Sequence, residues 1–216
     1  MKRNIGILGG TYNPIHFGHL RIAEEIAENL HLDEVRFIPS ASPPHKPAPQ
    51  ISAEHRATMV QLAIENNPKF KCDRRELQRT GASYTIDTLI SLREELGSEV
   101  SLHLIMGSDA FTQFDAWHRW QALIQYAHLI LVKRPEPIPP QKPLSSALEH
   151  FLRNHYTEDA ALLNENSAGF IIMQNVTALS ISSTDIRERL KNKHSTRYLM
   201  PESVTDYITK HQLYCE

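Results

Sequence analysis

His16 and His19 stand three residues apart, behind a Gly9-Gly10-Thr11 turn and Pro14, with Gly18 between them. Imidazoles donate hydrogen bonds and take up charge near neutral pH, which suits them to phosphate oxygens. The run before them, Asn4-Ile-Gly-Ile-Leu8, reads as a buried strand, and Leu20, Ala23, Ile26, Ala27 and Leu30 mark one face of a helix beginning near Gly18. The pair therefore falls between a strand's carboxyl end and a helix's amino end. Unsatisfied N–H groups and the positive end of the helix dipole favour an anion there, and glycines let it approach the main chain. A glycine turn followed by ordinary capping histidines accounts for the same residues. A metal pair has less support, since no Glu follows the first histidine and no His-rich tract lies nearby.

A second helix start of similar chemistry lies towards the other end of the chain. In Ile181-Ser182-Ser183-Thr184-Asp185-Ile186-Arg187 a hydroxyl can cap a helix, Asp185 stands in a capping-box relation to Ser182, and Arg187 is about a turn further in. Hydroxyls beside a guanidinium make a phosphate site, although a plain capped helix fits them too. Between these ends, His45 and Lys46 sit among five prolines in residues 39–49, suited to a phosphate clamp or simply to a rigid surface loop. Trp117 and Trp120 default to packing, and Asp109 and Thr85 to helix caps.

The elements that must position these groups alternate between strand and helix. Further apolar runs at 35–38, 102–106, 128–132 and 170–173 read as strands, and 53–66, 85–96, 120–126, 146–155, 184–191 and 202–211 as helices. This order predicts an α/β fold, a doubly wound parallel sheet with helices on both faces, whose ligands sit beyond the carboxyl ends of the strands. At 216 residues a single domain spanning 1–216 is expected, with a helical C-terminal portion from about 182. The net charge of −2 argues against nucleic acid as a partner. No apolar run approaches the ~20 residues of a membrane span, and the apolar stretch at the start is too short for a secretory signal. With isolated Cys72 and Cys215 this points to the cytoplasm. Most of the twelve histidines read as surface residues.

Gly9-Gly-Thr-Tyr-Asn-Pro-Ile-His16-Phe-Gly-His19 resembles the His-x-Gly-His signature of nucleotidyltransferases, shared with class I aminoacyl-tRNA synthetases. Ile181 to Arg187 is similar to the Ile-Ser-(Ser/Ala)-Thr-x-x-Arg motif of the same superfamily, and the two together are far more specific than either. Pro43-Pro-His45-Lys46, Ser83-Tyr84-Thr85, Gly107-Ser-Asp109, Phe114-Asp-Ala-Trp117 and Lys133-Arg134-Pro135 follow in the order of one family, the bacterial nicotinate mononucleotide adenylyltransferases. Tyr12-Asn13 stands where many relatives carry Phe-Asp. Residues 136–168 carry no motif.

The resemblance implies a Rossmann-like fold and adenylyl transfer from ATP to nicotinate mononucleotide, giving deamido-NAD and pyrophosphate, with Mg2+ held mainly by phosphates. It implies His16, His19, Lys46 and Arg187 as catalytic groups. ATP would meet Gly9, Gly10, Thr11, His16, Gly18, His19, Gly107, Asp109, Ile181, Ser182, Ser183, Thr184 and Arg187. Nicotinate mononucleotide would meet Tyr12, Asn13, His45, Lys46, Ser83, Tyr84, Thr85, Trp117, His118 and Arg134, with Trp117 stacked on the pyridine, Trp120 left to the core, and main chain near Thr85 and His118 at the carboxylate. The partners implied are these small molecules, with a homo-oligomer left open. Two rivals stand beside this reading: a sister enzyme adenylating another phosphorylated acceptor, such as nicotinamide mononucleotide or phosphopantetheine, and a non-catalytic nucleotide-sensing module.

Overall fold

The computed structural model describes residues 2–42, 49–133, 143–177 and 179–215. Its centre is a six-stranded, wholly parallel sheet in the order β3-β2-β1-β4-β5-β6, formed by β1 (Asn4–Gly10), β2 (Glu34–Pro39), β3 (Phe70–Cys72), β4 (Ser101–Gly107), β5 (His128–Lys133) and β6 (Ile171–Asn175). The chain builds outward from β1 to β3, then crosses back to β4 and builds the other way. The strand order thus reverses between β1 and β4, the place where sheets of this kind form their ligand crevice at the carboxyl edge.

Parallel strands buried on both faces need covering layers, and the helices divide accordingly. Side chains of α1 (Phe17–Asn29), α2 (Ala53–Ile64), α6 (Ala161–Glu165), α7 (Ser183–Lys191) and α8 (Glu202–Lys210) share one core cluster with Leu8, Val35, Ile105 and Ile130 of the sheet. On the other face α3 (Thr85–Leu96), α4 (Ser108–Phe111) and α5 (Ser146–His155) pack with Ile5, Ile7, Leu104 and Leu129. Period-2 alternation explains the split, because Ile7 and Leu8 point to opposite faces. The doubly wound α/β architecture expected from the sequence is present. The stretch read as a helix over 120–126 is a 3₁₀ turn, Trp120–Gln125.

Two of the histidines lie in the core rather than at the surface. His103 and His128 are strand residues with no exposed surface, paired across β4 and β5 with ring centroids 5.3 Å apart. The Ser101 hydroxyl donates to the Leu163 carbonyl and so receives the Nε2–H of His103. His128 donates from Nε2 to the Asn166 carbonyl and accepts the Phe170 N–H at Nδ1. Both rings are therefore held neutral. Burial, with His128 and Arg93 adding to it, pushes His103 down to about 3, and burial pushes His128 down to about 4.

Candidate active site

The turn from β1 into α1 is pinned by its carbonyl oxygens. Gly10 O accepts the Ser40 N–H, Thr11 O accepts from Arg56 at 2.6 Å, Asn13 O from Arg187 at 2.9 Å, and Pro14 O from the Ser183 hydroxyl at 2.9 Å. Each trans peptide whose oxygen faces inward sends the following N–H the other way. Tyr12, at φ 49°, adopts the left-handed conformation within this turn. Successive main-chain donors in such a turn form an anion-binding concavity. Gly10 is required because a side chain there would come within 2.9 Å of the Tyr12 ring.

His16 occupies the N-cap of α1 and His19 its third position, and their ring centroids lie 3.8 Å apart. The His16 main-chain N–H donates to Nδ1 of His19 at 3.3 Å. That assigns the proton of a neutral His19 ring to Nε2, the nitrogen that can donate to a phosphate oxygen. Gly18 gives the His16 ring its place, since a methyl at Gly18 would stand 2.9 Å from its Nδ1.

Helix α7 brings the second motif to the same point. Ser182 caps it by accepting the Asp185 N–H, as its spacing predicts. The Ile181 carbonyl lies 3.6 Å from the position of a Gly18 Cβ, so the two helix starts are neighbours. Among the described residues Arg187 spends two of its five donors, one N–H on Asn13 O and one on the Thr184 hydroxyl. The C-terminal segment closes the arrangement, with the buried Tyr214 hydroxyl donating to Asn13 Oδ1 at 2.7 Å.

On the other face of the sheet, β4 ends at Gly107 and the half-buried Trp117 follows, packed on Phe114 at a ring distance of 5.3 Å. Exposed Asp109 folds its carboxylate over Gly107. The Tyr84 and His118 rings lie 4.5 Å apart, tilted by 35°. Ser83 accepts the N–H groups of Ala41 and Ser42, tying the exit of β2 to the start of α3. Trp120 packs against Phe114 and Phe151 in the core.

Three expectations change in detail. Tyr12 is 2% exposed with its hydroxyl on Leu8 O, so its side chain is a packing group rather than one facing a ligand. Thr85 is the first residue of α3 and Tyr84 its N-cap, which leaves the Thr85 N–H among the unsatisfied donors of that helix start. Asp109 likewise lies inside α4, with Gly107 as the cap. His45, Lys46 and Arg134 lie outside the described residues. Sequence reasoning missed Arg56 and Tyr214, which reach the turn from α2 and from the end of the chain.

Among the described residues no helix is long and apolar enough to cross a membrane. Residues 7–189 match the cytidylyltransferase-like family. The chain is 45% identical over 214 residues to a Hydrogenovibrio crunogenus protein named "Probable nicotinate-nucleotide adenylyltransferase", covering 99% of this chain and 98% of that one. A protein of the same name from Aeromonas salmonicida is 45% identical over 216 residues, covering 99% and 98%. Among solved structures it resembles the Plasmodium falciparum nicotinic acid mononucleotide adenylyltransferase complexed with NaAD, with a TM-score of 0.71 and 20% identity over 98% of this chain and 97% of that one. The same protein complexed with APC gives a TM-score of 0.70 at 20% identity, with 98% and 97% covered. At that identity the likeness speaks to the fold alone.

Proposed function

The chain belongs to the cytidylyltransferase-like family and, within it, to the nicotinate-nucleotide adenylyltransferases, and on that premise we propose how its carboxyl-edge crevice moves an adenylyl group from ATP to nicotinate mononucleotide. The 5′-phosphate oxygen of nicotinate mononucleotide attacks the α-phosphorus of ATP. The bond from that phosphorus to the bridging oxygen breaks, and pyrophosphate leaves with the electron pair as deamido-NAD forms. The nucleophile is already an anion, so no general base is needed. The protein's work is to hold two repelling phosphates in line and to stabilise the charge that builds on the transferred and leaving groups.

The convergence of two helix amino ends on one turn carries this reading: α1 with His16 and His19, and α7 with Ser182, Thr184 and Arg187, joined through Pro14 and Asn13. His16 and His19 face the α-phosphate side. Thr11, Ser182, Ser183, Thr184 and Arg187 receive the leaving pyrophosphate, with Lys46 as a further cation. Gly9, Gly10, Gly18 and Ile181 supply main chain beside the nucleotide. Gly107 and Asp109 take the adenosine side, where the carboxylate accepts from ribose hydroxyls. The acceptor lies against Trp117, with Asn13, His45, Ser83, Tyr84 and Arg134 around it and the N–H groups near Thr85 and His118 at its carboxylate.

Magnesium enters with ATP. Among the described residues no group of three or more His, Cys, Asp or Glu side chains could enclose an ion. The triphosphate oxygens and water would mainly hold the ion, and the chemistry it would supply is to neutralise phosphate charge. The surroundings we assign to this enzyme are the cytoplasm, with small molecules rather than nucleic acid or membrane as partners.

Pyrophosphate release from ATP, measured with a panel of phosphorylated acceptors, tests the assignment. Release with nicotinate mononucleotide well above that with nicotinamide mononucleotide or phosphopantetheine is expected. A preference for phosphopantetheine assigns the sister reaction, and ATP binding without release with any acceptor assigns a sensing module.

A further inference from the structure

Arg56, in the first turn of α2, is 1% exposed, and among the described residues no carboxylate pairs with it. Its guanidinium donates instead to three neutral carbonyls: Thr11 O at 2.6 Å, Ala41 O at 3.3 Å and Ile51 O at 3.4 Å. These belong to three separate segments, the β1–α1 turn, the exit of β2 and the approach to α2. Among the described residues the titratable group whose charge bears on it is the Tyr214 phenol, which burial keeps protonated well above its ordinary range. A guanidinium keeps its proton even where desolvation lowers its affinity for it, as here. The result is a full positive charge in the interior that, among the described residues, has only dipoles around it, an arrangement that is costly unless an anion completes it.

The anion follows from what Arg56 holds. By fixing the Thr11 oxygen inward it turns the Tyr12 N–H to the opposite side of the planar peptide, the side of the concavity. We propose that Arg56 is a positioning residue of the phosphate site, clamping the β1–α1 turn from beneath and supplying the buried charge against which the triphosphate and its pyrophosphate product are held. This deepens the adenylyl-transfer reading and rests on it. It assigns to the pyrophosphate half of ATP a cation that never touches it.

The test separates charge from scaffolding. Arg56→Lys keeps the charge and loses the fork, whereas Arg56→Gln keeps a donor and loses the charge. With inorganic pyrophosphate as the probe, the Lys variant should bind within about threefold of the wild type, and the Gln variant at least about tenfold more weakly. KM for ATP should rise in the Gln variant more than KM for nicotinate mononucleotide. Equal weakening in both variants, or wild-type binding in the Gln variant, overturns the proposal. Where a variant does not fold, the Arg56 Nε–H resonance of the wild-type protein decides: displacement on adding pyrophosphate supports the role, and an unmoved resonance overturns it. Wild-type turnover with ATP and nicotinate mononucleotide is measured alongside. Its absence refutes the reaction assignment, while pyrophosphate binding by the variants still reports on Arg56.

Discussion

The imidazole of His16 lies across the α-carbon of Gly18, with Nδ1 2.9 Å from where a Cβ would stand. Gly18 is in the first turn of α1, where alanine is the better helix former by up to ~1 kcal/mol. Gly18→Ala should therefore leave thermal stability close to the wild type while displacing the His16 ring by a few tenths of an ångström or more. Misplacement on that scale at a phosphoryl centre predicts a fall in kcat of about 10- to 100-fold. A folded Gly18→Ala enzyme with unchanged kcat would show that the ring's position is immaterial.

His19→Ala should fold normally and lose turnover. The side chain is half-buried, and in the proposed site its Nε2 proton would donate to phosphate, so the variant should lose one charge-assisted hydrogen bond of ~1.5–3 kcal/mol, about 10- to 150-fold in rate. Steady-state kinetics on the folded variant check this, and near-normal turnover removes His19 from the site.

Trp117→Ala addresses the acceptor. Stacking does not read the ring substituent, so kcat/KM for nicotinate and nicotinamide mononucleotides should both fall about tenfold with their ratio preserved. A collapsed ratio would mean that the tryptophan positions the carboxylate.

Stability should decline on mild acidification because of the buried histidines. In the unfolded chain both titrate near 6.5, whereas the folded values are about 3 for His103 and about 4 for His128. Between about pH 4 and 6.5 the unfolded state binds more protons, so the free energy of unfolding rises with pH in that window and is lost as pH falls through it. From pH 6.5 to 5 the pair should cost ~3 kcal/mol, measured by urea denaturation, and His103→Leu should remove about half of that dependence. A flat profile across this window would contradict the neutral buried pair.

Much of the crevice was legible because its chemistry depends on residue types at short fixed spacings. His16, Gly18 and His19 occupy one helix start, and Ser182 caps α7 as its spacing predicts. Strands buried on both faces showed as apolar runs. β3 did not, since Phe70-Lys-Cys72 is a three-residue edge strand with a single buried side chain, too short to display a period. Arg56 was illegible for a different reason: a cation on a helix reads as solvent-facing, and only the fold reveals that three loop carbonyls enclose it. Tyr12 was placed with the ligand by its neighbours in sequence, yet the left-handed turn at that residue goes with a ring in the core. His103 and His128 were hidden because hydrogen bonds formed by the tertiary fold, to both ring nitrogens of His128 and to Nε2 of His103, hold them in the interior, and strand periodicity does not show these.

The central claim is tested most directly by following the α-phosphate. With ATP labelled at that phosphorus, the label should appear in deamido-NAD when nicotinate mononucleotide is the acceptor, while label at the γ-position leaves as pyrophosphate. With nicotinamide mononucleotide, transfer should be about 30- to 1,000-fold less efficient in kcat/KM, since the amide gives up the negative charge and leaves an N–H donor near Thr85 or His118 facing another N–H. Label retained in AMP, or equal transfer to the two acceptors, would contradict the account.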